Sequence, residues 1–279
     1  QSQAVQEAVA VAELLGARVF ALSYSEVNFP TSHSQFFGQL NTGWPGPGIR
    51  KTLDSADVIL VAGADMFSQF TYTPQPLLGN RNKVIHLDTS SWEVEKNFPV
   101  TVGVVADPKA GLKELAEALE AEMSGTAREA ARTRAAGLGQ ERQERRAAYQ
   151  NIVKQRWNSK PISAERLMAE LKAALPANTI ISDECVTSRG PLFGEMAFDR
   201  AGDYFGIRGG GLGWGMPAPV GIKLAKPERP VVAVVGDGAS MYAIQALWTA
   251  GRYNIPVTYV ICNNRSYRII KERLVAFRG

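Results

Sequence analysis

The chain has 279 residues, of which 45% are apolar and 21% charged, so it is long enough for two domains with separate cores and has the composition of a soluble globular protein. No run reaches the roughly 18 consecutive apolar residues of a membrane span, and we expect no membrane association. The net charge of +4 comes from the segment Thr126–Lys160, which has nine lysines or arginines and three glutamates. No aromatic platform interleaves these basic residues, so they are typical of a solvated helix face, and we expect no nucleic-acid partner.

The first part of the chain alternates apolar β-forming runs with helical patterns. Strands that have no polar face and are separated by helices indicate a parallel sheet covered by helices on both sides. We therefore predict an α/β domain over residues 1–125. Its strands are predicted at Arg18–Ser23, Asp57–Ala62, Lys83–Asp88 and Thr101–Ala106, and its clearest helices at Val5–Leu15 and Pro108–Met123.

Residues 126–160 interrupt this alternation. The segment is rich in Ala, Arg, Gln and Glu and poor in large apolar residues, which predicts an exposed, basic helical linker. Ser163, which follows Pro161, is a residue type that caps helix N-termini, so a new domain is expected to begin here.

A second α/β pattern fills residues 161–279. Together with the first it predicts two doubly wound parallel-sheet domains joined by a helical linker. The strands of the second domain are predicted at Thr179–Asp183, Asp203–Ile207, Val231–Gly236 and Val257–Cys262, and its helices at Ala164–Ala174, Ala218–Ala225 and Ile244–Tyr253.

Cys185 and Cys262 are the two cysteines of the chain, and each lies in or beside an apolar run. Two thiols without metal-ligand spacing suit a reducing compartment better than a disulfide framework. We therefore expect a cytoplasmic protein.

The strongest local motif is Gly236-Asp237-Gly238, which directly follows a buried strand. Ligands of open parallel sheets bind at the carboxyl ends of the strands, and the next helix offers free N–H groups to an anion. An aspartate beside a phosphate would repel it unless a divalent cation lay between them. The motif therefore predicts a phosphate bridged by a metal ion.

The next strand ends in a second polar pair, Asn263-Asn264. Neighbouring parallel strands would bring Asp237 and Asn264 to the same edge of the sheet. A carboxylate, an amide oxygen and a main-chain carbonyl are hard oxygen ligands, and phosphate oxygens and water would complete the octahedral shell of Mg²⁺.

A competing interpretation is a nicotinamide-dependent oxidoreductase. The segment Gly213–Ala218 fits the dinucleotide pattern G-x-G-x-x-G/A, and Asp237 follows about 20 residues later. This interpretation leaves Asn263-Asn264 without a role and puts the acidic residue inside a Gly-Asp-Gly turn.

Gly236-Asp237-Gly238, followed after 24 residues by Asn263-Asn264, resembles the fingerprint of thiamine diphosphate-dependent enzymes. The resemblance implies thiamine diphosphate and Mg²⁺ as cofactors and a reaction on a small 2-keto acid. The metal ligands that it implies are Asp237, Asn264 and the carbonyl of Ser266. The residues that it implies at the cofactor in the same region are Gly238, Ala239 and Tyr267.

Two further segments resemble this family. Gly209–Gly221 is similar to the glycine-rich segment that passes under the cofactor, which implies that the backbone at Gly210 meets the aminopyrimidine and that Leu212 supports the bent cofactor. By residue type alone the favoured interpretation of Leu212 is an ordinary core leucine. Asp183–Ser188 resembles the loop that binds the diphosphate, and it brings in Val186 and Thr187.

Residues 1–125 resemble the Rossmann-like middle domain of the superfamily, and the likeness is strongest to the benzoylformate decarboxylases. Phe29-Pro30-Thr31-Ser32-His33 is similar to their loop with an active-site histidine, which implies proton transfer by His33, although a lone loop histidine is more often a surface residue. His86, inside an apolar run, is interpreted as a core or strand-end residue. Gly206 and Arg273 replace aromatic pocket residues, so the substrate is expected to be bulkier or anionic and is not predicted to be benzoylformate.

The resemblance leaves decarboxylation and carboligation open, because the acetohydroxyacid synthase branch shares these motifs. In the family the glutamate that activates the cofactor comes from a pyrimidine-binding domain, usually of another subunit, and the full-length enzymes are homodimers or homotetramers. The first residues lie in an amphipathic helical pattern and the last follow no terminating element, so we expect a fragment without that domain and with negligible activity. A non-catalytic homologue is the third alternative.

Overall fold

A computed structural model of the chain describes residues 2–22, 25–40, 47–65, 76–79, 81–207 and 209–278. The chain divides into two compact units. The first consists of Gln1–Ser23 and His33–Arg142, and the second of Tyr24–Ser32 and Gln143–Gly279. No helix among the residues described is both long and apolar enough to cross a membrane.

The first unit is an α/β structure whose described strand pairs are all parallel. Its sheets have the orders β1-β2 and β3-β4-β5. Buried leucines and valines, among them Leu53, Val61 and Val84, form its core beneath the second of these sheets. The elements are α1 (Val5–Leu15), β1 (Val19–Ala21), β2 (Phe36–Gln39), α2 (Pro47–Asp54), β3 (Val58–Ala62), β4 (Lys83–Asp88), β5 (Val102–Val105) and α3 (Pro108–Glu122).

Helix α3 begins where its sequence supplies a cap and a compatible first turn. The Asp107 carboxylate accepts hydrogen bonds from the backbone N–H groups of Lys109 and Ala110, and Pro108 occupies the first turn, where no N–H is needed. Leu112 then packs with Val11 of α1 in a second buried cluster. The prediction of this helix ended one residue later than the structure, at Met123.

Helix α1 ends at a glycine that no other residue can replace without strain. Gly16 has φ +58°, and a Cβ atom at this position would lie 2.0 Å from the carbonyl oxygen of Ala131. We expect Gly16→Ala to lower the free energy of unfolding by about 3 kcal/mol, because both a left-handed backbone and a backbone clash oppose it.

Gly137→Ala is the matched control, since Gly137 lies in an exposed helix with no atom near its Cβ direction. We expect this change to raise the unfolding free energy by up to about 1 kcal/mol, through helix propensity alone. Urea unfolding followed by circular dichroism measures both values. Equal effects of the two substitutions would contradict the prediction.

Helix α4 (Gly125–Arg156) occupies the segment predicted as a helical linker. Its side chains are mostly exposed, but Ala131 and Val153 are buried. The part up to Arg142 belongs to the first unit, where Arg142 donates to the carbonyl of Phe36, and the remainder belongs to the second unit. The predicted domain boundaries at 125 and 160 remain predictions.

The second unit contains a sheet of four described strands in the order β7-β6-β8-β9, and every pair is parallel. The residues of β8 from Val231 to Val235 are buried, as expected for a central strand with helices on both faces. The elements are α5 (Ala164–Ala174), β6 (Ile180–Glu184), α6 (Arg189–Glu195), β7 (Tyr204–Gly206), α7 (Ala218–Ala225), β8 (Val231–Gly236), α8 (Asp237–Ser240), α9 (Ala246–Arg252), β9 (Thr258–Cys262) and α10 (Arg268–Arg278).

The order of these strands creates a topological switch point. The chain passes from β6 to β7 on one side and then to β8 on the other side of β6. In open parallel sheets the crevice at such a point, outside the carboxyl ends of the strands, is where ligands bind. The predicted α/β class with two parallel-sheet units is confirmed. The switch point lies between β6 and β8, so the carboxyl ends of these strands are the expected ligand site.

Candidate cofactor site

The two polar motifs of the sequence lie side by side at the carboxyl edge of the second sheet. Gly236 at the end of β8 pairs in register with Cys262 at the end of β9. Asp237 directly follows the first strand, and Asn263 and Asn264 directly follow the second. The structure thus brings together the residues that the spacing of the motifs predicted to be neighbours.

A tight turn after β9 joins these motifs. The backbone N–H of Arg265 donates to Oδ2 of Asp237 over 3.1 Å and to Oδ1 of Asn263 over 3.0 Å. Oδ1 of Asn264 accepts from the N–H of Ser266 over 3.0 Å. Arg265 has φ +52°, in the left-handed region that non-glycine residues adopt mainly in tight turns.

The donor set at this turn fits a hard divalent cation. Asp237 offers a half-buried carboxylate, Asn264 an exposed amide and Ser266 a backbone carbonyl, all of which are oxygen ligands of the kind that Mg²⁺ takes. No group of three or more His, Cys, Asp or Glu side chains suited to a metal ion occurs in the part of the chain that the structure describes. One carboxylate leaves room for phosphate oxygens in the coordination shell, so the site suits a metal–phosphate complex better than a free ion.

Small residues and one aromatic ring complete this edge of the site. Gly238 and Ala239 form the short helix α8 directly after Asp237. A Cβ atom at Gly238 would lie 3.6 Å from Cε1 of Tyr267, so the ring borders this glycine. Tyr267 itself is exposed, with 72% of its surface accessible. These three predicted cofactor residues are therefore adjacent to the metal-ligand candidates.

The loop after β6 lies at the same sheet edge and contains Val186 and Thr187. Its first turn is fixed by Asp183, whose Oδ1 accepts from the N–H of Cys185 over 2.7 Å. The carbonyl of Cys185 in turn accepts from the N–H of Ser188 over 2.7 Å. Val186 is 42% exposed and Thr187 half-buried, so both are accessible at the tip of the loop.

Asp183 is a completely buried carboxylate with two further partners. Its Oδ2 accepts from Nε of Arg189 over 2.6 Å and from the hydroxyl of Tyr204 over 2.7 Å. Burial opposes the charge of Arg189, but the adjacent carboxylate outweighs it and holds the pKa of the guanidinium above its ordinary value. Burial, aided by Asp183, also raises the pKa of Tyr204 far above its ordinary value, so its hydroxyl remains a donor. Sequence reasoning missed this triad, because Tyr204 is 21 residues away.

The two cysteines meet beside this triad. Both are free thiols, with Cys185 buried and Cys262 half-buried. A hydrogen bond between their side chains, together with burial, raises the pKa of the Cys185 thiol. The same hydrogen bond lowers the pKa of the Cys262 thiol.

The glycine-rich segment before α7 presents its backbone and one leucine. Gly209 and Gly210 have φ values of +63° and +72°, and Cβ atoms there would meet no other atom within 4 Å. Leu212 is 50% exposed, so it is not the ordinary core leucine of the alternative interpretation. The next residues are held by Glu184, a completely buried side chain whose oxygens accept from the N–H groups of Gly213 and Gly215. Sequence reasoning did not single out Glu184.

His33 is the first residue of the segment His33–Arg142 of the first unit. The two nitrogens of its ring have different partners. Nδ1 accepts from the N–H of Gln35 over 3.2 Å, which leaves the hydrogen on Nε2, 3.3 Å from Oε1 of Glu13. The buried side chain of Gln35 donates to the carbonyls of Ala12 and Ala17, so this loop is tied to the end of α1. The catalytic role of His33 remains a prediction.

The remaining residues that the sequence singled out are also located. His86 lies within β4 and is completely buried, as predicted for a core residue. Gly206 is the buried last residue of β7, and Arg273 is a half-buried residue of α10.

Comparison with protein families gives two matches that together span most of the chain. Residues 1–115 match the model described as the thiamine pyrophosphate enzyme central domain. Residues 196–278 match the thiamine pyrophosphate enzyme C-terminal TPP-binding domain. The second match contains the edge with Asp237 and Asn264.

Individual relatives are similar over nearly the whole chain. The benzoylformate decarboxylase of Pseudomonas aeruginosa is 29% identical over 251 residues, which are 90% of this chain and 43% of that protein. The sulfoacetaldehyde acetyltransferase of Castellaniella defragrans is 28% identical over 291 residues, 98% of this chain and 48% of that protein. The solved structure of a thiamine diphosphate-dependent 4-hydroxybenzoylformate decarboxylase from Rhodococcus jostii is 28% identical, with a TM-score of 0.77 over 99% of this chain and 49% of that one.

The chain therefore spans about half the length of the relatives that it matches. The half that it spans is the central and the TPP-binding domain, in the order in which the two family models occur along it. The motifs at the sheet edge, the two domain matches and the similar structures agree, and the chain belongs to the thiamine diphosphate-dependent enzymes, among the relatives of benzoylformate decarboxylase.

Proposed function

We propose that the chain binds thiamine diphosphate with Mg²⁺ and serves in the decarboxylation of a 2-keto acid, as a benzoylformate decarboxylase-like enzyme. The observation that supports this most is the placement of Asp237 and Asn264 after neighbouring strands at one sheet edge. An alternative within the family is transfer of the two-carbon or acyl unit to a second substrate, as in acetolactate synthases. The similarity to an acetyltransferase keeps that alternative open.

In this proposal the second unit holds the cofactor by its diphosphate. The Asp237 carboxylate, the Asn264 amide oxygen and the carbonyl of Ser266 would hold Mg²⁺. Two segments of the sheet edge, one after β8 and one after β6, would hold the diphosphate. The residues assigned to these contacts are Gly238, Ala239, Tyr267, Val186 and Thr187.

The organic part of the cofactor is assigned to the glycine-rich segment. The backbone at Gly210 would meet the aminopyrimidine, and the side chain of Leu212, which is 50% exposed, would support the bent cofactor. When bound, thiamine diphosphate supplies the electron sink that allows a 2-keto acid to lose CO₂. The function of the protein residues is to hold this group in one orientation and to keep water from the reacting carbon.

His33 is assigned the proton transfer that follows decarboxylation. Nδ1 accepts from the N–H of Gln35, so Nε2 is the ring nitrogen assigned to exchange this proton with the substrate.

The substrate is proposed to be a small 2-keto acid other than benzoylformate. Gly206 removes one aromatic wall of the pocket implied by the resemblance, and Arg273 introduces a cation in place of another. A larger or anionic side chain of the substrate would suit this change, because a guanidinium pairs with carboxylate or phosphate groups.

Catalysis is proposed to need a pyrimidine-binding domain, which contributes the activating glutamate and lies outside the two domains matched here. We therefore expect the 279-residue chain alone to turn over neither pyruvate nor benzoylformate measurably with thiamine diphosphate and Mg²⁺. The full-length enzyme is proposed to be a cytoplasmic homodimer or homotetramer. Normal steady-state turnover by the chain alone would show that the proposed division of the site is wrong.

Isothermal titration calorimetry tests the cofactor assignment directly. We expect Mg²⁺-dependent binding of thiamine diphosphate, competition by inorganic diphosphate, and no binding of thiamine. Binding of NAD in place of thiamine diphosphate would favour the nicotinamide-dependent oxidoreductase instead. A pyrimidine-binding domain without the glutamate would favour a non-catalytic homologue.

A further inference from the structure

Glu184 is a buried carboxylate whose hydrogen-bond partners are backbone N–H groups. It is the last residue of β6 and is completely buried. Oε1 accepts from the N–H of Gly213 over 2.7 Å, and Oε2 accepts from the N–H of Gly215 over 2.6 Å. Burying a carboxylate is costly in free energy unless hydrogen bonds compensate it, and here two short charge-assisted bonds do so. Burial raises the pKa of Glu184 and the two N–H bonds oppose the increase.

The two amides belong to a segment in which glycines leave few side chains to hold the backbone. Gly209, Gly210 and Gly213 all adopt positive φ values, which only glycine adopts readily. Glycines also lose more conformational entropy on ordering than other residues and have no side chains with which to pack. A carboxylate that accepts from the amides of both Gly213 and Gly215 is therefore an effective way to fix this backbone.

The packing around these amides leaves no space for a side chain at either glycine. A Cβ atom at Gly215 would lie 2.7 Å from Cβ and 2.8 Å from Oε2 of Glu184. A Cβ atom at Gly213 would lie 2.8 Å from Cβ of Tyr242. The segment is thus clamped at Gly213 and Gly215, whereas Gly209–Gly211 remain open.

The clamp lies next to the proposed cofactor groups on both sides. Leu212, half exposed, immediately precedes the clamped Gly213. On the sheet, Glu184 pairs in register with Val235, two residues before Asp237. One side chain therefore links the exposed leucine to the strand ends that carry the metal-ligand candidates.

We propose that Glu184 is a positioning residue that fixes the glycine-rich segment, and with it Leu212, for thiamine diphosphate. It does not touch the reacting atoms and acts through the N–H groups of Gly213 and Gly215. This inference rests on the proposed function for its consequence at the cofactor, but the clamp itself is a property of the protein.

The test uses the full chain with Glu184→Gln, which preserves shape but turns an amide NH₂ toward one of the two N–H donors. Glu195→Gln is the matched control, because Glu195 is also a buried glutamate of this unit but lies in α6 and pairs with Gln150. Hydrogen-exchange mass spectrometry measures backbone exchange in 209–217 and in β8, and calorimetry measures thiamine diphosphate binding with Mg²⁺.

We expect Glu184→Gln to speed exchange in 209–217 about tenfold, which corresponds to about 1.4 kcal/mol, with β8 unchanged. We expect thiamine diphosphate affinity to fall about tenfold while inorganic diphosphate affinity stays within twofold, since only the organic part meets Leu212. The control should change none of these values. If Glu184→Gln does not fold, as judged by near-ultraviolet circular dichroism, Glu184→Asp decides by the same measurements, because it keeps the charge but shortens the reach.

If hydrogen exchange in 209–217 is unchanged, or if exchange in β8 is accelerated equally, Glu184 does not hold the glycine-rich segment. Faster local exchange with unchanged thiamine diphosphate affinity overturns its role at the cofactor. If the unmodified chain binds no thiamine diphosphate, the proposed function fails and the role at the cofactor fails with it, whereas the exchange data still decide whether Glu184 holds the segment.

Discussion

Asp237→Asn is expected to weaken the binding of thiamine diphosphate in Mg²⁺ about 100-fold, a loss of about 2.7 kcal/mol. The substitution keeps the size of the side chain and an acceptor for the N–H of Arg265, but it removes the one carboxylate of the proposed metal ligands. Without that charge the cation is held by neutral protein oxygens alone and binds more weakly, so the diphosphate loses much of the metal bridge that would hold it. Because Asp237 is only half-buried, the unfolding free energy should change by about 0.5 kcal/mol or less.

Calorimetric titration of the variant with thiamine diphosphate, at saturating and at zero Mg²⁺, measures this effect. Asp199→Asn is the control, because Asp199 is an exposed aspartate of the same unit that accepts from Ser32 and is not among the proposed metal or cofactor residues. It should bind the cofactor as tightly as the unmodified chain. An Asp237→Asn variant that retained full, Mg²⁺-dependent affinity would remove Asp237 from the metal site.

The α/β class followed from the sequence because period and composition directly reflect burial on two faces. The apolar runs at Val231–Gly236 and Lys83–Asp88 are strands with the same bounds in the structure. Strand β2 was missed, since Phe36-Phe37-Gly38-Gln39 is too short and too mixed to show a period. Helices α8 and α9 begin without side-chain caps, so their bounds depend on tertiary packing.

The position of the site was predictable for a different reason. Residues that directly follow parallel strands meet at one edge whatever the details of packing, so Asp237 and Asn264 could be placed together from their spacing alone. The groups that hold the site in place could not be predicted from the sequence. Glu184 and Asp183 act through partners about 20 to 30 residues away, and in sequence they are simply two acidic residues at the end of a strand.

Asp183 and Glu184 each hold a different loop of the candidate site. The side chains of consecutive strand residues point to opposite faces of a sheet. Glu184 therefore binds the glycine-rich segment, while Asp183 binds Arg189 and Tyr204 and fixes the turn that carries Val186. Both loops proposed to surround the cofactor thus depend on the last two residues of β6, at the switch point of the sheet.

Arg189→Met should lower the free energy of unfolding by about 3–5 kcal/mol, since it leaves the buried carboxylate of Asp183 without its countercharge. The pair is formed at 2.6 Å, with Asp183 completely buried and the Arg189 side chain 18% exposed, so solvent screens it little. The N–H of Cys185 and the hydroxyl of Tyr204 would remain as donors but carry no net charge. Arg166→Met is the control, because the pair of Arg166 with Glu170 is exposed and should contribute less than about 1 kcal/mol.

A double-mutant cycle with Asp183→Asn separates the pair from its surroundings. If the cost of Arg189→Met comes from an uncompensated charge, Asp183→Asn in the same chain should restore about 2 kcal/mol or more of the lost stability, as urea unfolding would show. Additive losses would mean that Arg189 stabilises the unit by packing its aliphatic stem. A restored double variant would still have a changed turn at Val186, because an asparagine amide accepts the N–H of Cys185 less strongly than a carboxylate does. In this double variant the free energy of unfolding should therefore recover, whereas the affinity for thiamine diphosphate should stay below that of the unmodified chain.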